Sequence, residues 1–530
     1  MDRQVRHIHM VAICGIGMGS LAGLLKTAGY HVTGSDQNIY PPMSNQLADL
    51  CIPVTNGFSV DNLNPAPDLV IIGNAAKLGN VEVQAVLERK IPHMSFPEAL
   101  AHYFIRDRES LVVTGTHGKT TSTSMLAWVM ESAGLSPSLM VGGVAKNFEK
   151  SFKSGEGRHF VVEGDEYHTA FFHRVPKFHY YRARMAVINS MEFDHGDIYH
   201  DIAHIQDTFK THLIERMPED GFLAVCTDYP AAIPLLDSIR CTYETYGLKT
   251  GARWLASDIS IGEEGTTFTV TFDGTLFGRF CLPMAGNHNV QNALGVITIC
   301  HRLGLSQETI ARGLSTFLGV KRRQEIRGVA DDIIVMDDFA HHPTKVRETV
   351  NAVKARYPRR RVWAVWEPRT QSSRRDFFQK EYTHSFGAAD RVVVADVFCP
   401  ELIEPDRLFD SKRLVADLRA AGKQADFLLN ADAIVEMLSR EARPSDVILV
   451  MSNGAFDNIH NKLLTVFEQR AREVARRPVE EFVSIARGLP VPRRYEKIEG
   501  ETPERFEQVE TVGVSGYRAP LLHFYPVAVS

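Results

Sequence analysis

The chain has 530 residues, 44% hydrophobic and 23% charged, with a formal net charge of −5, an ordinary globular composition with room for several cores. A mildly acidic balance without a basic block excludes a nucleic-acid footprint, and no apolar run approaches the roughly 18 residues of a membrane span. The seven cysteines (Cys14, Cys51, Cys226, Cys241, Cys281, Cys300, Cys399) form no C-x-x-C pair, which predicts reduced thiols in the cytoplasm and neither a disulfide frame nor a zinc site.

The first predicted strand, His9–Cys14, runs into Gly15-Ile-Gly-Met-Gly-Ser20 and an apolar helix, Leu21–Ala28. A second strand near His31–Thr33 ends at Ser35-Asp36. This is a Rossmann-like opening, in which glycines admit a diphosphate to the backbone and an acidic residue at the next strand end meets a ribose. The glycine spacing is tighter than G-x-G-x-x-G, so a bland βα turn stays open beside nucleotide binding. A strand at Leu69–Gly73, a helix at Val81–Glu88 and the segment Pro92-His-Met-Ser95 continue the α/β repeat. The first domain is expected over 1–108.

The stretch Leu111-Val-Val-Thr-Gly-Thr-His-Gly-Lys-Thr-Thr121 organises the next unit, expected over 109–320. A short buried strand feeds a glycine-flanked turn and then a helix opened by Lys119. The turn's N–H groups and the helix's positive end face an anion, Lys119 neutralises the β/γ-phosphates, and Thr120 holds Mg²⁺. Only two residues separate Gly115 from Gly118, where the general P-loop has four. Two further strands, His159–Glu163 and Met185–Asn189, end in Glu163-Gly-Asp-Glu166 and in Glu-Phe-Asp194-His195. They bring Glu163, a hard oxygen ligand for Mg²⁺, and His195 to the sheet edge where ligand groups gather. Alternation over Trp254–Pro283 predicts antiparallel hairpins. Gly286-Asn-His-Asn289 and Asn292 open a helix, Val290–Leu303.

A third α/β unit, expected over 321–468, carries strands at Ile333–Met336, Val362–Trp366, Arg391–Ala395 and Val447–Met451. Arg322 and Arg323 are candidates for charge over a γ-phosphate. In Asp337-Asp338-Phe-Ala-His341-His342-Pro the histidines are expected to cap or position the loop while Asp338 reaches a nucleotide. Residues 469–530 form a charged, proline-rich extension with no assignable chemistry.

The set Gly-Thr-His-Gly-Lys-Thr-Thr, Glu-Gly-Asp-Glu-Tyr, Glu-Phe-Asp-His, Gly-Asn-His-Asn and Asp-Asp-Phe-Ala-His-His-Pro-Thr, in that order, resembles the ATP-dependent Mur ligases. The resemblance covers roughly residues 7–468. Glu367-Pro-Arg369, Ser452-Asn-Gly-Ala-Phe456, Asn74-Ala75 and Thr169-Ala-Phe-Phe172 point to the family's peptide-recycling branch. It implies three α/β domains: an N-terminal Rossmann-like domain for UDP-N-acetylmuramate, a central P-loop domain for MgATP, and a C-terminal Rossmann-like domain for the incoming tripeptide. By motif, ATP falls to Gly115, Thr116, His117, Gly118, Lys119, Thr120, Thr121, Asn289, Asn292, Arg323 and Asp338, and Mg²⁺ to Thr120, Glu163 and His195. The UDP-sugar falls to Gly15, Gly17, Gly19, Ser20, Asp36 and Asn74, the peptide to Arg369 and Asn453, and the catalytic residues are Lys119, Glu163, His195 and Arg323. The partners implied are small molecules alone, and oligomeric state is open.

The chain departs from the family pattern at Gly164 (usually alanine) and at His168 (usually acidic). Lys210 stands where some Mur ligases carry a carbamylated lysine, a modification not expected in this branch. The rival readings are a ligase adding free L-alanine and a P-loop binding protein that forms no bond.

Overall fold

The computed structural model describes residues 5–40, 43–196 and 198–476. The chain divides into Met1–Val474 and Ala475–Ser530, and the architecture below is that of the first unit. Nearly all of the extension 469–530 lies outside the described residues.

Three sheets follow one another. The first is wholly parallel, in the order Val54–Asn56, His31–Asp36, His7–Val11, Leu69–Ile72, His93–Ser95. Its strand order reverses at the central His7–Val11, so the crevice at the carboxyl ends opens beside the turn that follows. That strand stops at Val11, and the helix runs from Ile16 to Thr27 rather than from Leu21. Gly17, Gly19 and Ser20 are therefore helical, a correction to the glycine-loop expectation. Packing overrides their poor helix propensity: a Cβ on Gly19 would lie 2.8 Å from Met43 Sδ.

The second sheet has ten strands, and the Glu109–Thr114 strand sits between Met185–Ile188 and His159–Gly164 with both pairings parallel. Thr114 is in register with both Ile188 and Gly164. The phosphate-cradle turn, Glu163 and the loop after Ile188 thus leave the sheet side by side. The expected hairpins appear as Trp254–Gly262, Gly265–Phe272 and Thr275–Leu282, all antiparallel. The helix Asn287–Arg302 starts three residues earlier than expected, carrying Asn289 and Asn292 on its first turns.

The third sheet orders Glu325–Ala330, Ile333–Asp338, Asp446–Met451, Arg361–Trp366, Arg391–Ala395 and Gln424–Leu428; only the first pairing is antiparallel. Its Val, Ile and Leu runs are buried on both faces, as a helix-covered parallel sheet requires. The helix Ile459–Arg476 packs Ile459, Leu463 and Phe467 against it. Gly164 has a packing reason: a Cβ there would stand 2.5 Å from Val112 Cγ1. All seven cysteines are free. Among the described residues no helix is long and apolar enough to cross a membrane.

Candidate active site

A cavity of about 700 Å³ takes its walls from all three sheets. The first contributes Ile16, Gly17 and Phe96; the second contributes Thr116 to Thr121, Glu163, Lys177, His195, Asn289 and Asn292. The third contributes Arg323, Asp338, Lys345, Arg369 and Asn453.

The cradle is built by two left-handed glycines. Gly115 has φ +121° and Gly118 φ +79°, and a Cβ on Gly118 would stand 2.2 Å from Asn292 Oδ1. No larger residue fits this turn. Gly118 delivers the chain into the helix Lys119–Ser132, whose first N–H groups lack acceptors within the helix and open on the cavity. Lys119 Nζ folds back to donate to Gly115 O at 2.8 Å and to Glu166 Oε2 at 2.7 Å, with Asp165 at 3.9 Å. Burial alone would pull this ammonium down, but Glu166, Asp165 and Glu163 outweigh it and leave it above its ordinary value.

Thr120 Oγ1 donates to Glu163 Oε1 at 2.8 Å, and Glu163 Oε2 accepts the Gly142 N–H at 2.6 Å. Burial, then Asp165, pushes the Glu163 carboxyl up. His195 Nε2 lies 3.4 Å from Glu166 Oε1, so its partner is Glu166 rather than Glu163. Its backbone is left-handed, φ +54°, a conformation that histidine adopts more readily than most side chains. Asp194 fixes it there, accepting the His195 N–H at 2.7 Å and the Ser372 hydroxyl at 3.1 Å.

The two arginines before the third sheet part company. Arg322, with φ +61°, turns to the backbone carbonyls of Ser452 (2.6 Å) and Gly454 (2.7 Å) and to Asp337 (3.3 Å). It clamps that loop and is withdrawn as a phosphate candidate. Arg323 lines the cavity over the Phe339 ring, 4.9 Å from its centroid. Asp338 also lines it, but both its oxygens already accept N–H groups, from Gln324 at 2.7 Å and from Ala340 at 2.8 Å. Asn289 Nδ2 donates to Ala285 O at 2.7 Å.

The histidines hold the loop, His341 Nδ1 meeting Phe339 O at 2.9 Å. His342 is the N-cap of the helix Pro343–Arg356: its Nδ1 accepts from Thr344 N at 3.3 Å, and its Nε2 meets Phe193 O at 3.1 Å. With His117 and Glu192 it forms a cluster whose ligand atoms lie within 4.8 Å of one another. Both His342 nitrogens are already engaged, and Glu192 takes His117 Nε2 at 2.7 Å and the Thr344 hydroxyl at 3.2 Å. The cluster ties the cradle to the third sheet.

The remaining candidate residues divide. Arg369 lines the cavity, its guanidinium 3.5 Å from the Phe398 centroid and 3.5 Å from Glu367 Oε1. Asn453 lines it too, and its Oδ1 is buried without a hydrogen-bond partner. Gly17 is the one predicted UDP-sugar residue on the cavity wall. Ser20 is corrected to an interdomain tether, its hydroxyl 2.7 Å from Ser151 Oγ. Asp36 turns inward, accepting the N–H groups of Cys14 and Asn38 at 2.9 Å each, in place of the expected open ribose contact. Gly15, Gly19 and Asn74 also lie off the cavity lining, and Asn74 is exposed. Lys210 is exposed on its helix and His168 sits in a small hairpin strand, both outside the lining. Sequence reasoning missed Lys177 and Lys345, because neither belongs to a motif.

Family models match the three regions in turn: "Mur ligase family, catalytic domain" over residues 7–108, "Mur ligase middle domain" over 113–300, and "Mur ligase, glutamate ligase domain" over 322–454. The UDP-N-acetylmuramate–L-alanyl-γ-D-glutamyl-meso-2,6-diaminoheptandioate ligase of Haemophilus influenzae is 38% identical over 462 residues, 87% of this chain and 99% of that protein. The chain belongs to the Mur ligase family. It is thus a carboxylate–amine ligase with the family's three-domain architecture. A UDP-N-acetylmuramate–L-alanine ligase of Acetivibrio thermocellus is 34% identical over 455 residues, 85% of this chain and 93% of that protein. The crystal structure of a murein peptide ligase from Psychrobacter arcticus superposes with a TM-score of 0.67 at 33% identity, covering 87% of this chain and 99% of that one.

Proposed function

We propose that this Mur ligase joins UDP-N-acetylmuramate to the tripeptide L-alanyl-γ-D-glutamyl-meso-diaminopimelate, in the cytoplasm, at the expense of ATP. The observation that carries the reading is one cavity holding a phosphate cradle, a hard-oxygen pair, and Arg369 with Asn453. The relatives named for this substrate add support.

The residues fit the groups they would hold. A turn that a Cβ on Gly118 would fill is shaped for a phosphate. Thr120 Oγ1 and Glu163 Oε1, 2.8 Å apart, are neighbouring hard oxygen donors of the kind Mg²⁺ takes. When bound, Mg²⁺ would neutralise charge on the γ-phosphate. Thr120 and Glu163 would hold it, with His195 beside them.

The residues then divide the work. Lys119 and Arg323 draw charge from the γ-phosphoryl group while the lactyl carboxylate of the sugar attacks it. The bond to the ADP oxygen breaks and an acyl phosphate forms. The tripeptide's amine attacks the acyl carbon, the C–N bond forms, phosphate leaves, and the nitrogen gives up a proton. Arg369, stacked on Phe398, meets a peptide carboxylate, and the unpartnered Asn453 Oδ1 accepts from a peptide N–H. Asn289 and Asn292 lie toward adenine, and Asp338 positions the turn at Gln324 beneath the nucleotide.

ADP release tests this. Sustained release should require UDP-N-acetylmuramate and tripeptide together, with no more than about one ADP per enzyme formed when the amine is omitted, and continuous turnover without an amine acceptor would overturn the ligase assignment.

A further inference from the structure

We propose that Lys345 is a further cation on the transferring phosphoryl group, supplied to the reaction from the C-terminal domain. The proposal rests on reading the cavity as the ATP site.

Lys345 is the third residue of the helix Pro343–Arg356 and lines the same cavity as the cradle. The other cavity lysines have carboxylates: Lys119 has Glu166 at 2.7 Å, and Lys177 has Asp165 at 2.7 Å. Lys345 has no carboxylate within 4 Å and no hydrogen-bond partner among the described residues. Lys345 is partly exposed, on the cavity wall, and an ammonium that faces a ligand cavity without a counter-ion is placed for something anionic to complete it.

The charges facing it say what that is. Asp194 approaches from the loop after Ile188, Arg323 from the turn before the third sheet, and Lys119 with Glu166 from the cradle. His117, His341 and His342 feel its field from the interdomain cluster. Glu166 is already taken by Lys119, and Asp194 by the His195 N–H and Ser372. Lys119, Arg323 and Lys345 therefore belong to one set of interacting charges on the cavity wall, and of its lysines Lys345 alone is left without a carboxylate within 4 Å. Catalysis of phosphoryl transfer is positioning plus charge stabilisation, so the match is a multiply charged phosphoryl group. A peptide carboxylate carries one charge and already has Arg369. Burial, reinforced by Arg323 and Lys119 and opposed by Asp194, holds the ammonium down to about 8; an arriving phosphate would secure its proton.

The test uses the full chain and calorimetric titration with Mg²⁺·ADP and with Mg²⁺ and the β,γ-imido analogue of ATP. Lys345→Met should weaken the analogue about tenfold or more, lower kcat comparably, and leave ADP and the tripeptide KM within about twofold. Lys345→Arg should restore most of the analogue affinity. The thermal midpoint of Lys345→Met should not fall, because no ion pair is lost. Equal weakening of both nucleotides, or a loss confined to the tripeptide KM, would overturn the proposal. A wild-type chain that binds neither nucleotide would overturn the ATP reading itself, and this proposal with it.

Discussion

Lys119 Nζ stands 2.7 Å from Glu166 Oε2, so the lysine of the phosphate cradle is already paired with a carboxylate that no solvent reaches. Nucleotide binding must loosen this pair or share it. Burial would raise the Glu166 carboxyl, but Lys119 and then His195 overcome it and hold the group down to about 2.

Lys119→Met should therefore cost both rate and stability. Loss of one such transition-state contact lowers turnover by about 10²-fold or more. Glu166 lies below its ordinary 4.5, so its contribution is present above pH ~4.5 and fades as pH falls toward 2. The shift corresponds to about 3 kcal/mol, part of it owed to Lys119. Denaturant unfolding across pH should show wild type and variant furthest apart near neutrality and converging in acid. A gap that widened below pH ~4 would contradict the pairing.

Glu163→Gln should raise the Mg²⁺ concentration for half-maximal turnover by about 10–100-fold. Glutamine's Oε1 can still accept the Gly142 N–H while its Nε2 donates to the Thr120 hydroxyl in place of the reverse bond, and it carries no charge, so the fold should persist. A magnesium titration of phosphate release reads this directly. An unchanged midpoint would remove Glu163 from the metal face.

Arg369 lies between the Phe398 ring and Gly454, where a Cβ on Gly454 would stand 2.0 Å from Arg369 Nε. Gly454→Ala should displace the guanidinium without removing its charge. Both Gly454→Ala and Arg369→Lys should raise the tripeptide KM by about 1–3 kcal/mol of lost charge-assisted bonding. The ATP KM should stay near wild type. Equal rises for every substrate would point to domain closure instead.

The extension begins later than its composition suggests. Arg470 Nε donates to Asp331 at 2.7 Å and the same guanidinium reaches Ala442 O at 2.7 Å. A chain ending at Arg476 should keep ligase activity. One ending at Glu468 should melt several degrees lower, since it loses this anchor. Scanning calorimetry with an ADP-release assay separates the two.

The cradle was legible because hydrophobic run, glycine turn and Gly-Lys-Thr-Thr agree at every level of local chemistry. The helix Val81–Glu88 was legible to the residue because Asn80 caps it, accepting from Glu82 N and Val83 N. The first helix was not, because Gly17 and Gly19 look like loop residues until Phe96 and Met43 are packed on them. Arg322 and Arg323 are adjacent, chemically alike and both placed over the Phe339 ring, yet Arg322, with its left-handed backbone, also reaches the Ser452 and Gly454 carbonyls. Lys345 follows a recognisable motif by chain position alone. Its meaning is an absence of partners, which no local pattern encodes.

The most direct measurement is the mass of the product formed when ATP, Mg²⁺ and UDP-N-acetylmuramate meet equal amounts of L-alanine and L-alanyl-γ-D-glutamyl-meso-diaminopimelate. The account predicts UDP-N-acetylmuramoyl-tripeptide as the main product, with one ADP per amide bond. UDP-N-acetylmuramoyl-L-alanine as the main product would contradict it.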